Sequence, residues 1–216
     1  MNEVETIGSA HTKPRHSPAF ASPRVGVLAL QGDYAAHIAA LREAGAEAFE
    51  IRGAVDLEKA DSVIIPGGES TVMGSLLQRF GFLDAFKERI KAGMPVFGTC
   101  AGLILLAKDG EGRNQPGLGL LDITIRRNAY GTQIDSFRAR VATTLPGLGE
   151  IEGVFIRAPK IVRVGANVEV LATHDGSPVM VREGSIVGAA FHPELIPGAL
   201  IHRWFLGLSS EPRKEP

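Results

Sequence analysis

The chain has a single cysteine, and its surroundings are typical of a catalytic nucleophile. The segment Gly98-Thr-Cys100-Ala-Gly102 has the form Gly-x-nucleophile-x-Gly and lies between an apolar strand-like run and a helical run. Such a turn strains the backbone of the nucleophile, and its glycines avoid Cβ clashes. The N-terminus of the following helix favours a thiolate and offers N–H groups to an oxyanion. The alternative is a buried structural cysteine, but the glycine pattern favours the nucleophile.

A histidine and a glutamate stand two positions apart in His192-Pro-Glu194, directly after the apolar run Ile186–Phe191. In an extended chain such positions point the same way, so Glu194 can accept a hydrogen bond from one imidazole nitrogen. The other nitrogen can then face the thiol, which gives the order of nucleophile, base and orienting acid. The alternative is a surface histidine beside a proline turn. A metal site needs a third convergent ligand, and none is evident in the sequence.

The remaining histidines are placed less favourably. His37, His174 and His202 have no comparable carboxylate at a strand end, and His11 and His16 lie near the N-terminus.

A glycine-rich loop, Pro66-Gly-Gly-Glu-Ser70, follows the apolar run Ser62–Ile65. Two adjacent glycines let the backbone approach a ligand and turn its N–H groups inward, as an oxyanion hole requires. Glu69 can receive a substrate ammonium, and Ser70 can instead simply cap the next helix. A nucleotide site is disfavoured, because the loop lacks the P-loop lysine and Gln31-Gly32-Asp33 lacks the dinucleotide-binding glycine pattern.

Strand-like and helical runs alternate in the first half of the chain. The runs Val25–Leu30, Ser62–Ile65 and Pro95–Phe97 are separated by helical segments, and this alternation predicts a parallel, doubly wound sheet. Asp33 is expected to cap a helix that stops at Gly45. Because ligands bind beyond the carboxyl ends of such strands, the three reactive segments are expected to meet there.

After about residue 109 the pattern changes to short β-like runs punctuated by glycine and proline, which predicts hairpins added to the sheet. These runs are Leu121–Arg126, Val154–Arg157, Val168–Ala172, Pro178–Arg182 and Ile186–Phe191, followed by a terminal helix over Ala199–Leu208. The expected fold is therefore a single α/β domain over residues 24–208, mostly parallel, with antiparallel hairpins in its C-terminal half. Residues 1–23 are expected to form a disordered tail, and residues 209–216 to fray.

Composition excludes several classes of protein. The 216 residues suit one domain, and a formal charge of −1 gives no field that would recruit nucleic acid or an anionic membrane. One cysteine excludes an internal disulfide framework. The longest apolar stretches fall well short of the roughly 20 residues that span a bilayer. The first 23 residues do not have the pattern of a signal peptide, so we expect a cytoplasmic protein. No motif in the sequence indicates a cofactor, and we expect none.

Basic residues outnumber acidic ones between positions 126 and 163. Most are expected to form a solvated face, but one or two can grip a carboxylate, since arginine suits bidentate binding. Position alone does not choose among them. The basic residues are Arg126, Arg127, Arg138, Arg140, Arg157, Lys160 and Arg163.

Taken together, these motifs resemble the class I (triad-type) glutamine amidotransferases. The closer resemblance is to the glutaminase subunits of pyridoxal 5′-phosphate synthase, and it covers about Val25 to Leu206. The segments that carry it are Val27-Leu-Ala-Leu-Gln-Gly32, Ile65-Pro-Gly-Gly-Glu-Ser-Thr71, Phe97-Gly-Thr-Cys-Ala-Gly-Leu103, Arg127-Asn-Ala-Tyr-Gly131, Gln133-Ile-Asp-Ser-Phe137, Gly153-Val-Phe-Ile-Arg-Ala-Pro159 and Phe191-His-Pro-Glu-Leu195.

The resemblance implies a role for each matching residue. Cys100 would be the nucleophile, His192 its base and Glu194 the orienting acid. Backbone N–H groups near Gly68 and Ala101 would form the oxyanion hole. The residues implied to contact L-glutamine are Gly68, Glu69, Ser70, Arg127, Ile156 and Arg157, and Gln31 is implied to lie towards a synthase subunit.

The resemblance also implies a partner. Family members release ammonia from glutamine and pass it through a channel to a synthase subunit, in assemblies of twelve synthase and twelve glutaminase subunits. Four features depart from the family pattern: Thr132, Arg138, Val72 and the segment Leu195-Ile-Pro-Gly198. None belongs to the triad, so they bear on partner geometry. A compensating change on the synthase subunit can match the reversed charge at Arg138.

Two other interpretations remain open from sequence. One is a different amidotransferase, such as the glutaminase part of imidazole glycerol phosphate synthase, with the same chemistry and another ammonia acceptor. The other is a non-enzymatic stress or binding protein on a related scaffold, whose Cys100 would oxidise to a sulfinate without any dependence on glutamine.

Overall fold

The computed structural model describes residues 22–111, 116–127 and 136–209. Most of the expected disordered tail (1–23), most of the expected frayed end (209–216), His11, His16 and Thr132 lie outside these residues. So do parts of the Arg127–Gly131 and Gln133–Phe137 segments.

A nine-stranded mixed sheet dominates the described part of the chain, in the order β2-β1-β3-β4-β12-β11-β10-β7-β8, beside a three-stranded sheet β5-β6-β9. The strands are β1 (Arg24–Leu28), β2 (Glu47–Ile51), β3 (Ser62–Ile65), β4 (Val96–Thr99), β5 (Ala107–Glu111), β6 (Leu121–Arg126), β7 (Ser136–Thr143), β8 (Glu150–Ile156), β9 (Lys160–Val164), β10 (Glu169–His174), β11 (Ser177–Glu183) and β12 (Ile186–Ala189). The helices are α1 (Tyr34–Glu43), α2 (Ala54–Glu58), α3 (Ser70–Arg79), α4 (Phe82–Lys91), α5 (Ala101–Leu106) and α6 (Leu200–Ser209), with a 3₁₀ turn at Pro193–Leu195.

The parallel half of the large sheet contains β2, β1, β3, β4 and β12, which pair in parallel with one another. Its central strands β3 and β4 are buried along their whole length, which explains their continuous apolar sequence. The predicted run Ser62–Ile65 forms β3 with the same bounds. Asp33 caps α1 as predicted, because its side chain accepts a hydrogen bond from the Ala36 N–H.

The antiparallel half extends from β12 through β11, β10, β7 and β8. The predicted hairpins are confirmed, and Leu121–Arg126 forms β6 with the predicted bounds. The strands β5, β7 and β9 were not predicted from the sequence. On β7, exposed Arg138 and Arg140 alternate with less exposed residues, of which only Val141 is fully buried. The sequence therefore shows charged residues there and no apolar run that would predict a strand.

The described part of the chain contains no helix with both the length and the apolar character needed to cross a membrane.

Close backbone packing fixes the junction between β4 and α5. A Cβ atom at Gly98 would lie 2.6 Å from the Gly102 carbonyl carbon, and one at Gly102 would overlap the Ile65 carbonyl oxygen. The strand β3 therefore presses directly on the first turn of α5. Only glycine allows this approach, so the flanking glycines position the turn between them.

We expect Gly102→Ala to destabilise the fold by about 1–3 kcal/mol, because the added methyl group would force β3 and α5 apart. The matched control is Gly207→Ala, on α6, where an added Cβ meets no atom within 4 Å. This control should stabilise by about 0.5–1 kcal/mol, since alanine favours a helix over glycine. Urea unfolding of both variants measures the difference, and equal stabilities would contradict the packing argument.

Candidate active site

Cys100 lies at a sharp turn between β4 and α5. Its backbone has φ 47° and ψ −100°, a conformation that non-glycine residues rarely adopt. The Cys100 N–H donates to the Ala189 carbonyl oxygen at 2.8 Å, which ties the turn to β12. The thiol is nearly buried, and its Sγ lies 3.7 Å from the Ile156 carbonyl oxygen. The structure thus holds the cysteine in a strained turn of the expected kind.

His192 and Glu194 lie beside this turn, where the chain leaves β12. The His192 Nδ1 and Glu194 Oε1 atoms are 2.7 Å apart, and the Glu194 side chain has no exposed surface. The predicted pairing is present, but the predicted reason was wrong. Residues Pro193–Leu195 form a 3₁₀ turn rather than an extended strand end, and this turn brings Glu194 back towards the ring.

The edge strand β8 closes the site from the other side. The backbone N–H of His192 donates to the Val154 carbonyl oxygen at 2.8 Å. Together with the contact between Cys100 and Ile156, this bond brings β8 across the ends of β4 and β12. Arg157 follows directly with φ 45°, a strained conformation at the rim of the same site.

A cavity of about 270 Å³ opens over the thiol and the imidazole. It brings together most of the residues that the sequence assigned to the site, with Ala101, Gln31 and Glu194 outside its lining. The lining residues are Asp33, Gly67, Gly68, Glu69, Ser70, Cys100, Ile104, Arg127, Ile156, Arg157, His192 and Leu195.

Glu69, not Ser70, caps helix α3. Its carboxylate accepts hydrogen bonds from the Thr71 and Val72 N–H groups at 3.0 and 2.8 Å, whereas Ser70 is buried within the first turn. Burial raises the pKa of Glu69, but these two hydrogen bonds and Arg127 outweigh it, so the pKa is lowered overall. The Glu69 side chain remains 47% exposed, with Arg127 at 3.4 Å, so an anionic group borders the cavity.

The glycine loop is held from below by Gln31. The Gln31 Oε1 atom accepts a hydrogen bond from the Glu69 N–H at 2.8 Å, and a Cβ at Gly68 would overlap this same oxygen. A Cβ at Gly32 would overlap the Gly67 carbonyl oxygen. Across the cavity, the first N–H groups of α5, beginning at Ala101, have no carbonyl of their own helix to bind. The first turn of α5, directly after the thiol, therefore has backbone donors without partners in its own helix.

The sequence analysis missed a buried group of polar residues behind Glu194. His37 Nε2 lies 3.3 Å from Glu194 Oε2 and 3.1 Å from Thr99 Oγ1, and His37 Nδ1 lies 3.0 Å from His202 Nε2. Both histidines are fully buried. No comparable strand-end carboxylate was expected for His37, His174 or His202. The structure nevertheless places His37 against Glu194, and it places His174 Nε2 3.5 Å from the exposed Asp175 carboxylate. The only signal in the sequence was two histidines at positions that helical periodicity assigns to the core.

Electrostatics differ sharply between the histidines. Burial lowers the pKa of His192, but hydrogen bonds and charge from Cys100 and Glu194 raise it to about 10. Burial lowers the pKa of His202 to about 4, and burial with the neighbouring His202 and His192 lowers that of His37 well below its usual value. The contacts with Cys100 and Glu194 thus favour the protonated form of His192, whereas burial favours the neutral forms of His37 and His202.

Among the described residues, no group of three or more histidine, cysteine, aspartate or glutamate side chains is arranged to hold a metal ion.

Comparison with known proteins fits this geometry. The family model of the SNO glutamine amidotransferase family matches residues 27–210. The chain belongs to this family. The resemblance inferred from the motifs is confirmed.

Curated relatives of this amidotransferase are similar to it over nearly their whole length. A protein of Mycolicibacterium vanbaalenii named "Pyridoxal 5′-phosphate synthase subunit PdxT" is 50% identical over 193 residues, which cover 87% of this chain and 98% of the relative. The protein of the same name from Thermotoga maritima is 46% identical over 183 residues, covering 85% of this chain and 97% of the relative.

Solved structures show the same amidotransferase fold. A crystal structure of a glutamine amidotransferase has a TM-score of 0.82 and 46% identity, covering 87% of this chain and 99% of its own. A putative GMP synthase component from Thermoplasma acidophilum, at 17% identity, has a TM-score of 0.67 over 88% of this chain and 96% of its own, and shows the fold alone. The predicted α/β class with its large mixed sheet is confirmed.

Arg138, which departs from the family pattern, has a partner within this amidotransferase chain. Its guanidinium lies 2.8 Å from the Glu152 carboxylate across the β7–β8 hairpin, and Arg140 pairs with Glu150 at the same distance. The hairpin thus balances part of the charge of Arg138 within this chain.

We expect NMR titration to find His192 protonated at pH 8 and losing its proton near pH 10. A raised pKa in the folded state means that this proton stabilises the fold fully below the unfolded pKa of about 6.5, and that the stabilisation is lost as pH rises towards 10. Cys100→Ala should lower the His192 pKa, since one of its two partners is removed. If His192 instead lost its proton near pH 6.5 in the native chain, its contacts with Cys100 and Glu194 would not raise its pKa.

Proposed function

We propose that this chain hydrolyses L-glutamine to L-glutamate and ammonia as the glutaminase subunit of a pyridoxal 5′-phosphate synthase. The observation that carries the proposal is that Cys100 and His192 line one cavity, with Glu194 bonded to the far nitrogen of His192. Family membership supports the glutaminase chemistry. The relatives at about half identity, whose name specifies this synthase, support the pathway of vitamin B6 synthesis.

In the proposed mechanism, His192 holds the proton of Cys100, and the thiolate attacks the side-chain amide carbon of glutamine. Negative charge develops on the amide oxygen, where N–H groups of Gly68 and Ala101 stabilise it by about 3 kcal/mol per donor. His192 then gives its proton to the leaving nitrogen, and ammonia departs. Water attacks the remaining thioester, His192 takes a proton from this water, and glutamate leaves as the thiol is restored.

Glu194 acts on His192 rather than on the substrate. Its short bond to Nδ1 fixes the ring so that Nε2 faces the thiol, and its charge stabilises the imidazolium.

The rim of the cavity supplies the selectivity for a free amino acid. Glu69 receives the α-ammonium, and Arg157 with Arg127 receives the α-carboxylate. Support comes from the position of all three side chains around one cavity and from the lowered pKa of Glu69. Gly68, Ser70 and Ile156 complete the pocket by shape.

The ammonia acceptor in this proposal is a synthase subunit that docks over the cavity, in an assembly of twelve synthase and twelve glutaminase subunits. Gln31 faces this partner and holds the glycine loop through the Glu69 N–H. The exposed apolar side chains of Val72 and Leu195 lie beside the glycine loop and the His192 turn, where such a partner would cover them.

We expect the purified chain mixed with its cognate synthase subunit to release ammonia from glutamine, and Cys100→Ala to abolish this release. Ammonia and glutamate are measured together, with and without the synthase partner. Full activity in Cys100→Ala would overturn the nucleophile. Equal activity with and without the partner would support glutamine hydrolysis but not transfer of the ammonia to this synthase. If no mixture released ammonia, the result would favour the alternative of a non-enzymatic stress or binding protein.

We expect Glu69→Gln to raise KM for glutamine by about tenfold or more while kcat changes little, because a charge-assisted hydrogen bond to the substrate ammonium is lost. The glutamine side chain retains an oxygen for one of the two N–H groups that Glu69 caps and loses the acceptor for the other, so thermal stability is measured beside KM. Glu58→Gln, at the exposed end of α2, is the control and should leave KM unchanged. An unchanged KM in Glu69→Gln would remove Glu69 from the substrate site.

A further inference from the structure

The second oxygen of the Glu194 carboxylate faces His37 of helix α1. Oε1 is occupied by His192, whereas Oε2 is buried and has no well-aligned hydrogen bond among the described residues. His37 Nε2 lies 3.3 Å from this Oε2, and both side chains have no exposed surface. His37 Nε2 is thus the nitrogen that can donate a hydrogen bond to Glu194 Oε2.

The protons of this buried group can be assigned from its contacts. His37 and His202 are neutral at pH 7, because burial lowers the pKa of each, so each ring has one N–H. If His202 Nε2–H donates to His37 Nδ1, then His37 Nε2–H has two acceptors in reach, Thr99 Oγ1 at 3.1 Å and Glu194 Oε2 at 3.3 Å. A lone pair on His202 Nδ1 is then left without a partner.

The opposite assignment is less favourable. A proton on His37 Nδ1 would leave a lone pair of Nε2 against the carboxylate, and would bury an N–H on His202 Nδ1 without a partner. Orphaned buried N–H groups are rarer and costlier than orphaned acceptors. The contacts therefore favour one direction, from His202 through His37 to Glu194.

We propose that His37 is a positioning residue for the reaction, which donates from Nε2 to Glu194 Oε2 and so fixes the plane of the carboxylate that orients His192. The proposal rests on the proposed function, because the orientation of His192 matters only if Cys100 and His192 perform the chemistry. His202 fixes which nitrogen of His37 has the proton.

The physical reason is the cost of burying the carboxylate. An ionised carboxylate out of water needs a donor on each oxygen, and a free Oε2 would turn towards any other N–H in reach. Rotation about the Cγ–Cδ bond would take Oε1 out of line with His192 Nδ1. The contact of 3.3 Å is longer than the bond of 2.7 Å on the other side, so His192 is the stronger of the two partners of this carboxylate.

The chain offers a matched pair of variants that separates the two ends of the ring. In His37→Gln the side-chain amide reaches the position of Nε2 and keeps a donor for Glu194. In His37→Asn the amide reaches only the position of Nδ1, so the contact with His202 can persist while Glu194 Oε2 loses its donor. Both variants bury an amide in place of an imidazole, so their cost to the fold is similar.

The experiment measures kcat and KM for glutamine hydrolysis in the complex with the cognate synthase subunit, together with thermal stability. In His37→Asn we expect kcat to fall by about tenfold to a hundredfold with KM nearly unchanged, by analogy with metal-bound histidines that lose the group orienting them. His37→Gln should restore most of kcat. Leu41→Ala, one turn along α1 on its buried face, should lower stability without lowering kcat at a temperature where it stays folded.

Three outcomes would overturn the proposal. The first is a native kcat in His37→Asn. The second is an equal loss of kcat in the glutamine and asparagine variants. The third is a loss of kcat in Leu41→Ala as large as that in His37→Asn, since this would assign the effect to helix packing.

A second measurement separates failure of this proposal from failure of the proposed function. If the native complex releases no ammonia, the proposed function fails, but the low-field NMR resonance of the His192 Nδ1 proton in the isolated full chain still tests His37. We expect this resonance in the native chain and in His37→Gln, and its loss in His37→Asn. An unchanged resonance in His37→Asn would overturn the role of His37 whatever the chain catalyses.

Discussion

A carboxylate without exposed surface lies at the centre of this site, and most of the local structure can be understood as its support. Glu194 has a histidine against each oxygen, His192 on one side and His37 on the other. Burial strengthens the attraction to a protonated His192 because little water screens it. The same burial makes an unsupported oxygen costly. The 3₁₀ turn after β12 and helix α1 have to meet at this point for either interaction to form.

The thiol is subject to a different constraint, which is steric. The chain has to reverse between β4 and α5 within one residue, and Cys100 takes the strain in its own backbone. This is possible because Gly98 and Gly102 let β3 and α5 approach more closely than any side chain would allow. The thiol is therefore positioned by the core of the parallel sheet, whereas the imidazole is positioned by polar contacts. The two halves of the reactive pair depend on different kinds of interaction.

How far the sequence predicts this molecule depends on the distance over which each interaction acts. Local signals were sufficient for β3, for the cap at Asp33 and for the turn at Cys100, because each is encoded within a few residues. The cap of α3 was predicted at Ser70, but the structure has Glu69 as the cap and Ser70 as the first, buried residue of the helix. Both side chains can cap a helix, so the sequence does not choose between them. The His37–His202 contact joins residues 165 positions apart. No periodicity reveals such a contact, and β7 was missed because its charged face resembles a solvated loop.

The position of β8 has a consequence for how the molecule fluctuates. This strand ends the nine-stranded order, so among the described strands it pairs only with β7. Edge elements open at a lower free energy than the centre of a sheet. Yet the carbonyls of Val154 and Ile156 on this strand bind the His192 backbone and contact the thiol. Local opening of β8 therefore costs less free energy than separation of β3 from β4, and amide exchange along β8 would report on one wall of the cavity alone.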